Sequence, residues 1–275
     1  AEDGIRDIGV TEVQTCALPI SSNTSLGYGS LNSNTTASNN TAVGYQAGYY
    51  AAGSSNGSNS WLGYQAGYLV AVGGSNVGIG YQAQYASGGT GGSNNVSVGY
   101  QAQYSNLGGS NNTAVGHTAL LSNTSGSSNS AFGQGAMYNT TTGAQNTAVG
   151  QGALNANTTG DNNVAVGRYA LVNSTTGSNN IAIGQQALQA NTTASSNTAV
   201  GHISLTNNTT GSGNTSVGAN SLQSNTTGSS HVAVGLQALY SNTTGAYNTA
   251  IGYTDRKSTR LNSSHANISY AVFCL

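Results

Sequence analysis

The chain has 275 residues, with 5 Lys and Arg against 6 Asp and Glu, a net charge of −1 and a charged fraction of 4%. So neutral a composition offers no basic field for nucleic acid and no acidic field for cations, and no apolar run is long enough for a membrane-spanning helix. Disordered chains pair low hydrophobicity with high net charge, which this one lacks, so order has to come from repetition.

In chain order, residues 1–20, AEDGIRDIGVTEVQTCALPI, resemble the translated opposite strand of a common short-read sequencing adapter. Residues 255–275, DRKSTRLNSSHANISYAVFCL, resemble the forward translation of the same adapter. The two ends agree with each other. Codons GCC AAT for Ala266-Asn267 reverse-complement to ATT GGC, which encodes Ile8-Gly9; Glu12 is the one departure, standing where the adapter gives Gly. Cys16, Cys274 and Pro19 all fall in these segments, so cysteine usage carries no information on redox compartment. The apolar stretch ending at Ile20 is set aside as a scar of the same origin. The expected organisation is an adapter-derived segment at 1–20, a repeat domain at 21–254 cut at both ends, and a second adapter-derived segment at 255–275. Inside 21–254 the only charged residues are Asp161 and Arg168.

The repeat domain is built on a unit close to NTAVGxQALxSNTTGSx, which opens at Asn23 and recurs to Asn248 in fourteen copies. From Asn95 onward every step is 17 residues, and two earlier coils carry a two-residue insertion. A fixed short period is the signature of a solenoid, in which one coil buries too little alone and stacking supplies a continuous core. Positions two to four read as a strand. Positions two and four share one face and the Ala or Ser at position three takes the other. The apolar fourth position, including Val149 and Val166, is expected inside. Position five is Gly in every copy, from Gly27 to Gly252, which requires positive φ or close approach of another segment. A second strand is expected around Gln186-Ala187-Leu188, with Leu188 and its equivalents in the core. NTTGS is turn chemistry. The Asn opening each coil is placed to form a ladder along the rod. Helix is excluded, because Gly recurs every few residues and no 3.6-residue apolar period exists.

The NTAVG and NIAIG units resemble the head repeats of trimeric autotransporter adhesins of the YadA-like group. The longer unit, with AL and SNTTG following, resembles repeats of phage-type tail fibres. The resemblance implies a left-handed parallel β-roll that assembles as a homotrimer. It further implies an extracellular fibre, on a cell surface or a virion, that attaches to a glycan or to a host or matrix protein. The 17-residue period is longer than is usual in autotransporter heads.

Chemistry-bearing residues are sparse. His117 and His202 share one repeat position and His231 replaces a coil-opening Asn; no Cys or second His stands near any of them, so no metal site is expected. Asp161 and Arg168 read as a surface ion pair. No catalytic set, cofactor motif or metal-ligand set is present, and the chain is expected to be no enzyme. Two tyrosine rows stand out: Tyr45, Tyr64, Tyr81 and Tyr100, and Tyr49, Tyr68, Tyr85 and Tyr104. They read either as a ligand stripe on which sugar faces stack or as a structural ladder at an interface. Trp61, which replaces the usual Ala or Ser, is counted with the two rows in the candidate ligand or interface stripe; it either projects outward as an anchor or fills a local gap. Asn34, Asn123, Asn157, Asn191, Asn225 and Asn242 open Asn-Xaa-Ser/Thr triplets, which are formal glycan acceptors or simply turn composition. The rows of paired threonines raise the alternative of an ice- or crystal-surface binder.

Overall fold

A computed structural model describes residues 22–51, 57–85 and 92–254, and in it the chain winds into a β-solenoid. The two segments assigned above to adapter, 1–20 and 255–275, lie outside the described residues. Each coil contributes one three-residue strand, from β1 (Thr24–Leu26) to β14 (Thr249–Ile251). The fourteen strands form a single parallel sheet in unbroken chain order. Equivalent positions lie side by side: Thr147 pairs with Val164, Ala148 with Ala165 and Val149 with Val166. The two-residue insertion after the second coil leaves this register intact, since Thr41 still pairs with Ser60. No helix occurs among the described residues. The expected all-β parallel solenoid of 17-residue coils is the fold.

The second strand is not formed. Gln186 and Leu188 have φ of 58° and 51°, in the left-handed region, and the segment is a turn. Its backbone still bonds between coils: Gln186 N–H donates to the Arg168 carbonyl at 3.0 Å on one side, and Leu188 N–H to the Ser204 carbonyl at 3.1 Å on the other. A left-handed Leu is strained by about 1–2 kcal/mol. Two inter-coil hydrogen bonds and a fully buried side chain outweigh that strain. Leu120, Leu154, Leu171, Leu188, Leu205, Leu222 and Leu239 are all buried, as expected.

The faces of the strand are reversed from expectation. Position three, the Ala of Ala114, Ala148, Ala165 and Ala182, is wholly buried and joins the leucines in one core. Position four looks outward: Val149 is 39% and Ile183 40% exposed, and Val166 is half-buried. The cause is steric. Where positions eight and nine are Ala and Leu, they already fill a narrow coil, so only a small residue fits at position three. Size, not hydrophobicity, chose the inner face.

The Gly column meets both demands that fourteen glycines implied. All fourteen have φ between 128° and 140°. A Cβ on Gly150 would also stand 2.7 Å from the carbonyl oxygen of Gly167 in the next coil. Beside this column the coil-opening asparagines form the expected ladder, by a side chain to backbone route. Asn163 N–H donates to Asn146 Oδ1 at 2.9 Å, while Asn163 Nδ2 donates to the Gly177 carbonyl at 2.8 Å. Each buried amide thus closes its own coil and bonds the next.

Gly150→Ala should lower stability by about 2 kcal/mol or more, because a strained φ adds to a backbone that has to move. A fall in the urea midpoint would register it.

Candidate contact surfaces

The first tyrosine row is a continuous stack. Tyr45, Tyr64, Tyr81 and Tyr100 follow one another at ring-centroid distances of 5.2, 5.1 and 5.1 Å, with interplanar angles of 8°, 5° and 6°. Two rings missed by sequence reasoning extend it: Tyr28 stacks on Tyr45 at 5.5 Å and His117 on Tyr100 at 4.9 Å. Both occupy the same repeat position as the row, which was the available signal. The stack sits immediately past the Gly bend that ends each strand. Its geometry rules out the stacking of sugars on the interior rings, since those faces cover one another.

The second row is half-buried and less regular at its start. Tyr49 and Tyr68 are tilted by 31° at 5.4 Å, and Tyr50 inserts edge-on against both. Tyr68–Tyr85 and Tyr85–Tyr104 are stacked at 5.1 and 4.9 Å. Desolvation raises the Tyr68 and Tyr85 phenols, and repulsion from neighbouring tyrosines adds to it. Between the two rows runs an unforeseen ladder of glutamine amides. Gln65 donates to Gln46 at 2.9 Å, Gln82 to Gln65 at 3.0 Å and Gln101 to Gln82 at 2.9 Å.

Trp61 does not belong to this surface. It is 1% exposed and lies in the core among Ala42, Ala47 and Ala66, so it is no surface anchor and fills an interior gap. The gap is made by its neighbours. Gly48 and Gly67 stand where later coils carry Leu, and Gly78 where they carry Ala. A Cβ on Gly67 would fall 2.1 Å from Trp61 Nε1, and one on Gly48 2.6 Å from its ring. Coils four and five carry Gln84 and Gln103 at the same inner position, and Gln103 Oε1 accepts from Ser97 Oγ at 2.6 Å. The coils that carry the tyrosines are therefore distinct inside as well as outside.

The triplet asparagines are committed to turns. Asn123, Asn157, Asn191, Asn225 and Asn242 are buried. Asn157 Nδ2 donates to the Gly160 carbonyl while Gly160 N–H donates to Asn157 Oδ1, both at 3.1 Å. A glycan on Nδ2 has no room in the folded coil. The first threonine after them is also engaged: Thr158 Oγ1 donates to the Thr175 carbonyl at 3.1 Å, and the pattern repeats along the rod. Only the second threonine, as in Thr142, Thr159 and Thr176, faces solvent. Asp161 and Arg168 go separate ways, with Asp161 accepting the Ala144 N–H at 2.7 Å and Arg168 lying over the Tyr169 ring at 4.7 Å.

His231 is buried in the asparagine ladder and reproduces its bonding. Its N–H donates to Asn214 Oδ1 at 3.0 Å, and its Nδ1 accepts from Asn248 N–H at 3.1 Å. The neutral ring then carries its proton on Nε2, towards the Gly245 carbonyl. Burial lowers its pKa, against an opposing pull from the backbone bonds to Gly245 and Asn248. Among the described residues no three His, Cys, Asp or Glu side chains gather as metal ligands. Comparison with protein-family models, curated proteins and solved structures found no match.

Trp61→Ala should lose about 3–5 kcal/mol, the range for an emptied aromatic site. Adding Gly48→Leu and Gly67→Leu should recover much of that, as read by thermal unfolding of the three variants. Because the folded state prefers neutral His231, the unfolded chain binds more protons once pH falls below its ordinary value of 6.5. The stability this residue contributes is therefore complete above that pH and declines as pH drops towards the lower folded value. In His231→Asn that part of the acid loss should vanish, and denaturation midpoints across the range would record the difference.

Proposed function

We propose that this chain is a rigid repeat segment of an extracellular fibre, a bacterial surface adhesin or a phage-like tail fibre, that works as a homotrimer in multivalent surface attachment. The observation that carries the reading is the outer face of the sheet. Leu62, Ile79, Phe132, Val149, Ile183 and Val217 are exposed there, on strands that lie side by side along the rod. Soluble monomers rarely show an apolar strip of such extent, and one without charge suits burial against identical strips. The resemblance of NTAVG and NIAIG to autotransporter head repeats supplies the number three and the left-handed winding. A stiff rod holding surfaces at fixed spacing lets weak contacts add through avidity. Tyr45, Tyr64, Tyr81, Tyr100 and the Tyr49 row are the contact surface with the richest recognition chemistry, suited to a glycan or to a host or matrix protein. The ice-binding alternative is less well supported, because one threonine rank is engaged in the coil and a single rank faces water.

Sedimentation equilibrium of the full chain should give a trimer. Val149→Asp with Val166→Asp should yield monomers that keep the β circular dichroism. A monomeric parent chain would overturn the reading, and thermal hysteresis by the purified chain would favour the ice-binding alternative.

A further inference from the structure

The interior rings of the first tyrosine row have both faces covered, yet Tyr45, Tyr64, Tyr81 and Tyr100 remain 42–45% exposed. What they show to solvent is ring edge and phenolic hydroxyl. None of these four hydroxyls has a protein partner among the described residues, so each coil offers an unengaged donor and acceptor. The adjacent glutamines add to this. Gln65 and Gln82 each use one N–H and one oxygen lone pair along the ladder, Gln46 only accepts and Gln101 only donates, so every amide keeps at least one more of each. The result is a neutral double file of hydrogen-bonding groups in step with the coils. The insertions do not disturb it: Tyr45 and Tyr64 are 19 residues apart, Tyr64 and Tyr81 are 17, and the ring spacings are 5.2 and 5.1 Å.

We propose that this strip, from Tyr28 to His117, binds an extended, uncharged β-1,4-linked pyranose chain lying along the rod with one sugar per coil. The proposal rests on the reading of the rod as an attachment segment and narrows it to one ligand class. Repeat length selects that class. An extended peptide advances about 3.3 Å per residue and falls out of step with the coils almost at once. A nucleic-acid strand would bring a row of phosphates to a surface with no Lys or Arg among its described residues to meet them. Extended β-1,4-linked pyranoses advance by close to one coil spacing per sugar and carry equatorial hydroxyls along both edges. Recognition is by hydrogen bonds in register, edge to edge, and each added sugar engages one more coil until the six rings are matched.

The full chain would be titrated by calorimetry with cello- and chito-oligosaccharides of increasing length and pulled down on insoluble cellulose and chitin, with amylose as the α-linked control. Affinity should climb with length and level off near the hexamer, and amylose should not be retained. Replacing Tyr45, Tyr64, Tyr81 and Tyr100 together by Phe keeps the stacked rings and removes the hydroxyls. That variant should lose about tenfold or more in affinity at unchanged circular dichroism. The proposal falls if neither β-1,4 polymer binds, if amylose binds equally, or if the Phe variant binds like the parent. The length series needs no variant, and affinity independent of length overturns the proposal by itself. Sedimentation of the same preparation judges the fibre reading separately.

Discussion

Every coil between the first and the last is bonded to the coil on either side of it, and that vertical pairing governs the rest of the molecule. The carbonyl and amide groups of a turn are no freer than those of a strand. Gln186 bonds to the coil before it and Leu188 to the coil after it. A residue is therefore tolerated only if its backbone can superpose on its equivalents above and below. This is why the Gly column is unbroken, since a side chain there would enter the neighbouring carbonyl. It is also why leucine accepts a left-handed conformation that it avoids elsewhere. Local preference is overruled by pairing along the rod.

The same constraint separates what could be read from the residues and what could not. The period, the solenoid, the Gly column, the buried Leu column and the asparagine ladder were all legible, because each depends on recurrence at a fixed spacing. The inner and outer faces were not. Alternation says that Ala148 and Val149 point opposite ways, but which way is inward depends on the width of the coil, and that emerges only when all sides close. The usual equation of apolar with buried then points the wrong way. A subtler signal was present in the hydroxyls. Where position three is a buried Ser, a polar partner follows within the same coil, as Ser97 with Gln103 and Ser216 with Ser221. Such pairing marks position three as interior, since a buried hydroxyl needs a partner.

The candidate contact surface divides in the same way. The tyrosine rows were visible as repetition, and Tyr28 and His117 extend the first row through shared repeat position. Ring orientation was not visible. It turns the row from a set of aromatic faces into a file of edges and hydroxyls, and so changes the kind of ligand that fits. Trp61 shows the complementary failure: an aromatic residue in an aromatic-rich stretch was grouped with the surface, whereas the three glycines around it record the space it takes. Outer chemistry and inner packing thus change together in these coils.

That coupling bears on how such an array grows. From the sixth coil onward most units are nearly interchangeable, and duplication or loss of one coil by unequal recombination would leave a packed core. In coils two to four the indole occupies volume taken from three successive turns. Removing or copying any one of them would bring a leucine against the ring or leave a void beside it. Recombination that preserves folding must carry this block whole, and the tyrosines on its outer side are inherited with it as a linked cassette.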